Sequence, residues 1–423
     1  MQLRAHDRGD YERARPSIIE RVGHAAAQHD VLVLPEGTFP AYVLGDASID
    51  ARLLADVTGE LARIARSTGC VIVAGAAVRR GDALYNSALV VDRDGSLAGS
   101  AEKIFLWHFD RQWFAPGTSI APVETSIGRF GVLVCADGRM PGIGRTLVDR
   151  GAELLVMPTA WVTSGRDPQR LENLQADLLA RVRAFENGVP FIAANKCGVE
   201  MGMVAYCGKS QIVDRSGELV AIGSQDREEV VSAQIELGAP APHRASFAEP
   251  QARTMAGDRT LRIAIAAGAL PHDVKDRLRI LEADLAIAAI GADDTSALDR
   301  EVPTIRIDAT LALDPATLLS ARLAGFRAAI LDAATPQPWL ERIARTRAAE
   351  LRIYVAVFDR SAPRAYAVDP DGAIIAGTFG DFTIASFVLD PRRTQQTLVA
   401  PGTDVAAGAE LVRSLALAPA ERA

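Results

Sequence analysis

The sequence predicts a layered α/β protein with mixed sheets, in which one scaffold is written twice. Three observations carry this reading. Continuous apolar runs of strand length alternate with amphipathic, helix-length segments. Tight glycine turns join some of the strands into hairpins, so the sheets are mixed rather than purely parallel. Finally, several segments of the second half align with segments of the first.

Taken in order, residues 17–29 have the spacing of a short amphipathic helix. DVLVLPEG (30–37) is an apolar run that opens into a loop at Pro-Glu-Gly. Residues 50–68 read as a helix, with Gly69 placed to stop it. CVIVAGAAVRR (70–80) and NSALVVDRDGSLAGSAEK (86–103) read as strands, the latter folded at an Asp-Gly turn. GRFGVLVCADG is a strand that ends at Cys135. Helices follow at 142–150 and 168–187, with a buried strand at 152–158 between them. VPFIAANK (189–196) and KSQIVDRSGELVAIGS (209–224) complete the first set, the latter turning at Ser216-Gly217.

These elements place a catalytic-sized domain at 1–240, a Pro- and Ala-rich linker at 241–258, and a second domain at 259–423. In the second domain RTRAAELRIYVAVFDRSA (345–362) lines up with RVRAFENGVPFIAANKCG (181–198). RAYAVDPDGAIIAGT (364–378) likewise lines up with SQIVDRSGELVAIGS (210–224). In that register Glu36 falls opposite Ile290 and Cys135 falls close to Ala309, and no cysteine occurs after Cys207. The second half reads as a shortened, catalytically dead copy.

Composition excludes several classes. With 423 residues, 49% hydrophobic and 23% charged, the chain has the make-up of a soluble globular protein. Its net charge of −7 argues against a nucleic-acid binder. No apolar run reaches the roughly 20 residues of a membrane span. MQLRAHDRGDYERARP has no apolar stretch of the secretory kind, so the expected compartment is the cytoplasm. Cys70, Cys135, Cys197 and Cys207 form no CxxC pair, so neither a metal finger nor a structural disulfide is expected. Lysine occurs only at 103, 196, 209 and 275 among 46 basic residues, so a lysine draws notice where a compact ammonium is needed.

Glu36 in LPEGTFP, Lys103 in SAEKIFLW and Cys135 in VLVCADG each stand where a strand gives way to a loop, a common place for chemistry. A thiol becomes a strong nucleophile when a carboxylate can take its proton and an ammonium can favour the thiolate. The same ammonium, with a backbone N–H after the nucleophile, can hold an oxyanion. Spacing alone leaves a second reading open: a buried ion pair beside a core cysteine.

LPEGTFP, EKIFLW and VLVCADGRMP resemble, in order, the three signature segments of the nitrilase superfamily of carbon–nitrogen hydrolases, over about residues 17–235. The resemblance implies a four-layer α-β-β-α sandwich. It implies Glu36 as general base, Lys103 as stabiliser of the oxyanion, Cys135 as nucleophile and the Ala136 N–H as second oxyanion donor, with no metal or cofactor. Several segments are most similar to N-carbamoyl amino acid hydrolases. WHFDRQWFAPG (107–117) has the form of their segment carrying a second acid, but the family's glutamate is here Asp110. Of their two substrate-gripping arginines only Arg139 is present, next to Gly138. His108 and Trp161 fall at substrate-side positions, each with a purely structural alternative. The family also has an apolar strand ahead of its first helix, and residues 1–16 show none.

The function expected is hydrolysis of an amide or N-carbamoyl C–N bond in a small molecule. Nitrile hydrolysis is the nearer rival, although nitrilases carry Trp-Glu where this chain has Ala136-Asp137. A non-catalytic scaffold is the rival of a different class. The second copy is expected to stand in for a partner subunit as an intramolecular pseudo-dimer, and further homo-oligomerisation is left open.

Overall fold

The structure, a computed structural model, describes residues 1–45, 51–163, 165, 167 and 169–418. The chain divides into two compact units. One comprises Met1–Pro242 with residues 400–403 and the chain from 407 onward, and the other His243–Val399 with Asp404–Ala406. The C-terminal residues therefore group with the first unit, whereas the sequence reading leaves them with the second. Thr403 Oγ1 accepts the His108 N–H at 2.7 Å, and the Arg150 guanidinium donates to the Ala418 carbonyl at 2.6 Å.

The first unit opens with β1 (Leu3–Arg4), α1 (Tyr11–Ala26), β2 (Val31–Val33), α2 (Ala51–Thr68), β3 (Val71–Arg80), β4 (Ala83–Val91) and β5 (Leu97–Glu102). β2 to β5 form one sheet in that order, with β2 and β3 parallel and the rest antiparallel. The period-2 alternation of β2 and β3 sends Leu32, Leu34, Ile72 and Ala74 to one face, where Ile18, Val22, Val57 and Leu61 of the two helices cover them. The hairpin β4–β5 turns at Gly95, whose φ of +81° suits glycine.

The chain continues through β6 (Val123–Thr125), β7 (Gly128–Val132), α3 (Pro141–Asp149), β8 (Leu154–Pro158), α4 (Ala180–Asn187), β9 (Phe191–Ala194), β10 (Lys196–Glu200), β11 (Val204–Cys207), β12 (Gln211–Val213) and β13 (Leu219–Ile222). The second sheet runs β13-β12-β9-β8-β7-β6. It packs on the first through β8 and β9, and α3 and α4 cover its outer side. Helix, sheet, sheet, helix is thus the layer order of this unit.

Two expectations need correction. The helix expected over 168–187 takes up helical turns only from residue 174. There the Asn173 side chain accepts the N–H groups of Gln175 and Ala176, capping a π-turn that leads into α4. The first sixteen residues do contribute a strand, but a two-residue one. β1 pairs parallel with Lys196–Cys197 of β10, not within the main sheets. Residues 168 and 46–50 lie outside the described residues.

No helix or strand occurs from 232 to 260. The second unit then contains β14 (Leu261–Ala269), α5 (Val274–Ile280), β15 (Leu285–Ile290), α6 (Thr295–Glu301), β16 (Thr304–Asp308), α7 (Pro315–Leu323), β17 (Ala328–Ala333), α8 (Leu340–Leu351), β18 (Tyr354–Asp359), β19 (Arg364–Val368), β20 (Ile374–Gly377) and β21 (Ile384–Leu389). β16 to β20 pair parallel, parallel, antiparallel and antiparallel. That is the pairing sequence of β7-β8-β9-β12-β13 in the first unit. Among the described residues no helix is long and apolar enough to cross a membrane.

A candidate active site at the strand ends

Glu36 leaves β2 through Leu34 and Pro35, and its N–H donates to the Thr159 carbonyl at the end of β8, 3.3 Å away. The close approach of β3 fixes its backbone. A Cβ on Gly75 would lie 2.5 Å from Glu36 Cα and 2.4 Å from the Pro35 carbonyl oxygen, so only glycine fits there. Lys103 follows β5 directly; its N–H donates to the Asn86 carbonyl and its own carbonyl accepts the Gly117 N–H, both at 2.8 Å.

These two side chains meet in the interior. Lys103 Nζ donates to Glu36 Oε1 at 2.7 Å and to Asp110 Oδ2 at 2.6 Å, and all three side chains are fully buried. Asn86 Nδ2 donates to the same Glu36 oxygen at 2.6 Å, and the Trp107 N–H donates to Asp110 Oδ2 at 2.8 Å. Burial works against the Lys103 charge, but the Asp110 and Glu36 carboxylates outweigh it and hold the ammonium well above its ordinary pKa. One oxygen of each acid, Glu36 Oε2 and Asp110 Oδ1, is buried without a partner. Acceptor capacity is therefore in hand for a donor that arrives with substrate.

Cys135 opens a single turn of 3₁₀ helix, Cys135–Arg139, between β7 and α3. Its φ of +47° lies in the left-handed region, a strained conformation for a non-glycine residue that costs on the order of 1–3 kcal/mol. The thiol is buried and within electrostatic reach of both Glu36 and Lys103. Burial and the Glu36 charge push its pKa up, and Lys103 pulls the other way. Burial and the neighbouring carboxylate thus favour the neutral thiol over the thiolate.

Asp137, two residues on, ties the segments together. Its Oδ1 accepts the N–H groups of Ile104 and Phe105 at 3.1 and 2.8 Å, and its Oδ2 accepts the Val134 N–H at 3.1 Å. One carboxyl thus fastens the residues after Lys103 to the residue before Cys135. Burial raises its pKa to about 7, against the pull of those three donors.

Of the remaining sequence-predicted residues, Ala136 is buried within the turn. Arg139 is half-buried, with its guanidinium 4.8 Å above the Trp107 ring. Trp161 is buried; its backbone N–H donates to Asn195 Oδ1 at 2.7 Å and its indole N–H has no partner. His108 is exposed, packs on Phe109 and sits at a left-handed φ of +43°. Three contributors escape the sequence reading: Asn86, Asp137 and Tyr42, whose ring centroid lies 5.6 Å from Lys103 Nζ. A polar residue amid the apolar run of β4 is the signal that could have found Asn86. An acid at the start of a capped turn is the signal for Asp137.

A family model described as carbon–nitrogen hydrolase matches residues 15–244. The chain is 30% identical to a probable nitrilase of Schizosaccharomyces pombe, over 40% of this chain and 59% of that one. It is 31% identical to a hydrolase from the pqqF 5′ region of Pseudomonas protegens, over 50% and 74%. It is 30% identical to an N-carbamoylputrescine amidase of Arabidopsis thaliana, over 41% and 62%. It spans less than two thirds of the first and third of these relatives. More than half of the sequence falls within the family match, and the chain belongs to the carbon–nitrogen hydrolases.

Proposed function

We propose that the chain hydrolyses an amide or N-carbamoyl C–N bond of a small molecule through a covalent Cys135 intermediate. The observation that supports this most is the buried Glu36–Lys103–Asp110 array, electrostatically coupled to a thiol on a strained turn. Glu36 takes the Cys135 proton as the sulfur bonds to the carbonyl carbon. Lys103 and the Ala136 N–H hold the oxyanion. Collapse of the tetrahedral adduct breaks the C–N bond, and the leaving ammonia or amine takes its proton from Glu36. Water then attacks the thioester, or the thiocarbamate if the substrate is a ureido compound. Glu36 accepts a proton from that water and the thiol is restored. Asp110 holds Lys103 in place and keeps it charged throughout.

The relatives of the chain include both a probable nitrilase and an N-carbamoylputrescine amidase. The acid and the small residue after Cys135 favour carbonyl substrates over nitriles. Arg139, next to Trp107, is offered as the group that receives a substrate carboxylate. Ammonia release across N-carbamoyl amino acids, N-carbamoyl amines, ω-amides and nitriles is the deciding measurement. Turnover of an amide or ureido compound that vanishes in Cys135→Ala supports the reading. Activity confined to nitriles, or retained in that variant, overturns it.

We also propose that the second unit is a degenerate copy of the first that takes the place of a partner subunit. The shared pairing order of β16–β20 and β7–β13 supports this, as does Ala309 at the position of Cys135. Light scattering should give the mass of one chain; a stable dimer would count against the substitution.

A further inference from the structure

Glu200 is a buried acid, outside the residues the mechanism uses, whose partners the mechanism leaves unexplained. It is fully buried at the end of β10, although its neighbours Val199 and Met201 are 51% and 49% exposed. Its carboxylate accepts three hydrogen bonds: the Val43 N–H at 2.7 Å, the Tyr206 hydroxyl at 2.7 Å and Lys196 Nζ at 3.0 Å. Burial and the Glu200 charge keep the Tyr206 phenol well above its ordinary pKa, so it remains a neutral donor. Removing such an ion pair in favour of apolar side chains is often neutral or stabilising, so its presence calls for a role other than stability.

We infer that Glu200 is a positioning residue that holds the roof of the proposed active site, an inference that rests on the hydrolase reading above. The loop after Glu36 turns back on itself. Gly37, at φ +57°, lies so close to Tyr42 that a Cβ would sit 2.5 Å from Tyr42 Cα. Glu200 pins the next residue, Val43, through its N–H. Tyr42 is thereby held with its ring 5.6 Å from Lys103 Nζ, against Phe109, which precedes Asp110, and against Tyr206, the second ring that Glu200 fixes. One carboxylate therefore secures both aromatic walls that keep water from the Lys103 ammonium. Dryness strengthens the electrostatics the mechanism needs.

The test pairs a charge-neutral double variant, Lys196→Met with Glu200→Leu, with the single variant Glu200→Asp. The double variant strands no buried charge, and the single one shortens the carboxylate so that it no longer spans Val43 and Tyr206. For each, the melting temperature, kcat and KM on an amide the wild type turns over, and amide hydrogen exchange of residues 38–45 are measured. The expected result is a folded variant whose melting temperature falls by several degrees, since the Val43 N–H and the Tyr206 hydroxyl lose their acceptor. Exchange at 38–45 is faster, and kcat falls about ten- to hundredfold with little change in KM. Wild-type kcat in a folded variant overturns the positioning role. So does wild-type exchange at 38–45 in both variants, whatever the wild-type protein turns over, which separates failure here from failure of the hydrolase reading.

Discussion

Replacing Asp137 with asparagine should separate stability from activity. The amide keeps the shape of the carboxyl, and its oxygen can still accept from Ile104 and Phe105. Its NH₂ group then faces the Val134 N–H across about 3 Å, donor against donor, and leaves a buried N–H unsatisfied at a cost of about 1–3 kcal/mol. The wild-type acid is raised from an ordinary value of 3.8 to about 7. Between those pH values the unfolded chain has lost its proton and the folded chain keeps it. Wild-type stability should therefore fall as pH rises through that window, by about 4 kcal/mol at most. Asparagine has no such titration. The variant's deficit should thus be largest below about pH 4, still clear at pH 5, and shrink or vanish by pH 8. Activity should not recover in parallel, because the Val134 N–H stays unanchored next to Cys135, and about tenfold or more in kcat/KM should be lost at both pH values. Urea unfolding followed by tryptophan fluorescence reads the first unit, which holds three of the four tryptophans, Trp107, Trp113 and Trp161. An equal deficit at pH 5 and pH 8 refutes the burial account of Asp137. A kcat/KM within threefold of wild type refutes its role in joining the two segments.

Gly75→Ala should abolish turnover and cost about 2–4 kcal/mol, since its methyl group meets backbone atoms of Pro35 and Glu36 that cannot step aside; wild-type kcat in that variant would sink the argument. Lys103→Met should destabilise by about 3–5 kcal/mol, because two buried carboxylates lose the ammonium that pairs with both, and denaturant midpoints check it. Alkylation of Cys135 by iodoacetamide should be slow at pH 7 and accelerate with rising pH, because burial and Glu36 hold the thiol protonated; a rate flat from pH 6 to 9 would show a resting thiolate instead.

Glu36, Lys103 and Cys135 were legible in the sequence because each stands where a strand gives way to a loop, in a motif of its own. Asp110, in the 3₁₀ turn His108–Gln112, was reached only through the family resemblance, and the partners of these residues carry no such mark. Asn86 reaches Glu36 across 50 residues and Glu200 reaches Val43 across 157, and no local pattern reports a contact of that span. Leu3–Arg4 is too short for its alternation to register, and its pairing with β10 depends on tertiary placement. The late start of the helix before α4 turned on one side chain, Asn173, whose capping bonds override the helical propensity around it. The grouping of residues 407–418 with the first unit is likewise a matter of packing, which a boundary drawn from composition does not see.

The two units pull scaffold and chemistry apart at one corner. In the first, Arg183 Nε donates to the Gly138 carbonyl at 2.9 Å, its guanidinium pairs with Glu186, and Pro141 opens α3. In the second, Arg347 Nε donates to the Ala312 carbonyl at 3.0 Å, its guanidinium pairs with Glu350, and Pro315 opens α7. All four charged side chains are fully buried. A buried pair that recurs where the thiol does not is serving the strand-turn-helix corner, whose outward carbonyls would otherwise lack donors. The left-handed backbone behaves differently. Cys135 has it, and Ala309, which begins the equivalent turn, is absent from the residues of positive φ. The corner can therefore be built without that strain. On the hydrolase reading proposed above, the strain at residue 135 serves to direct the sulfur, which lies within electrostatic reach of Glu36 and Lys103.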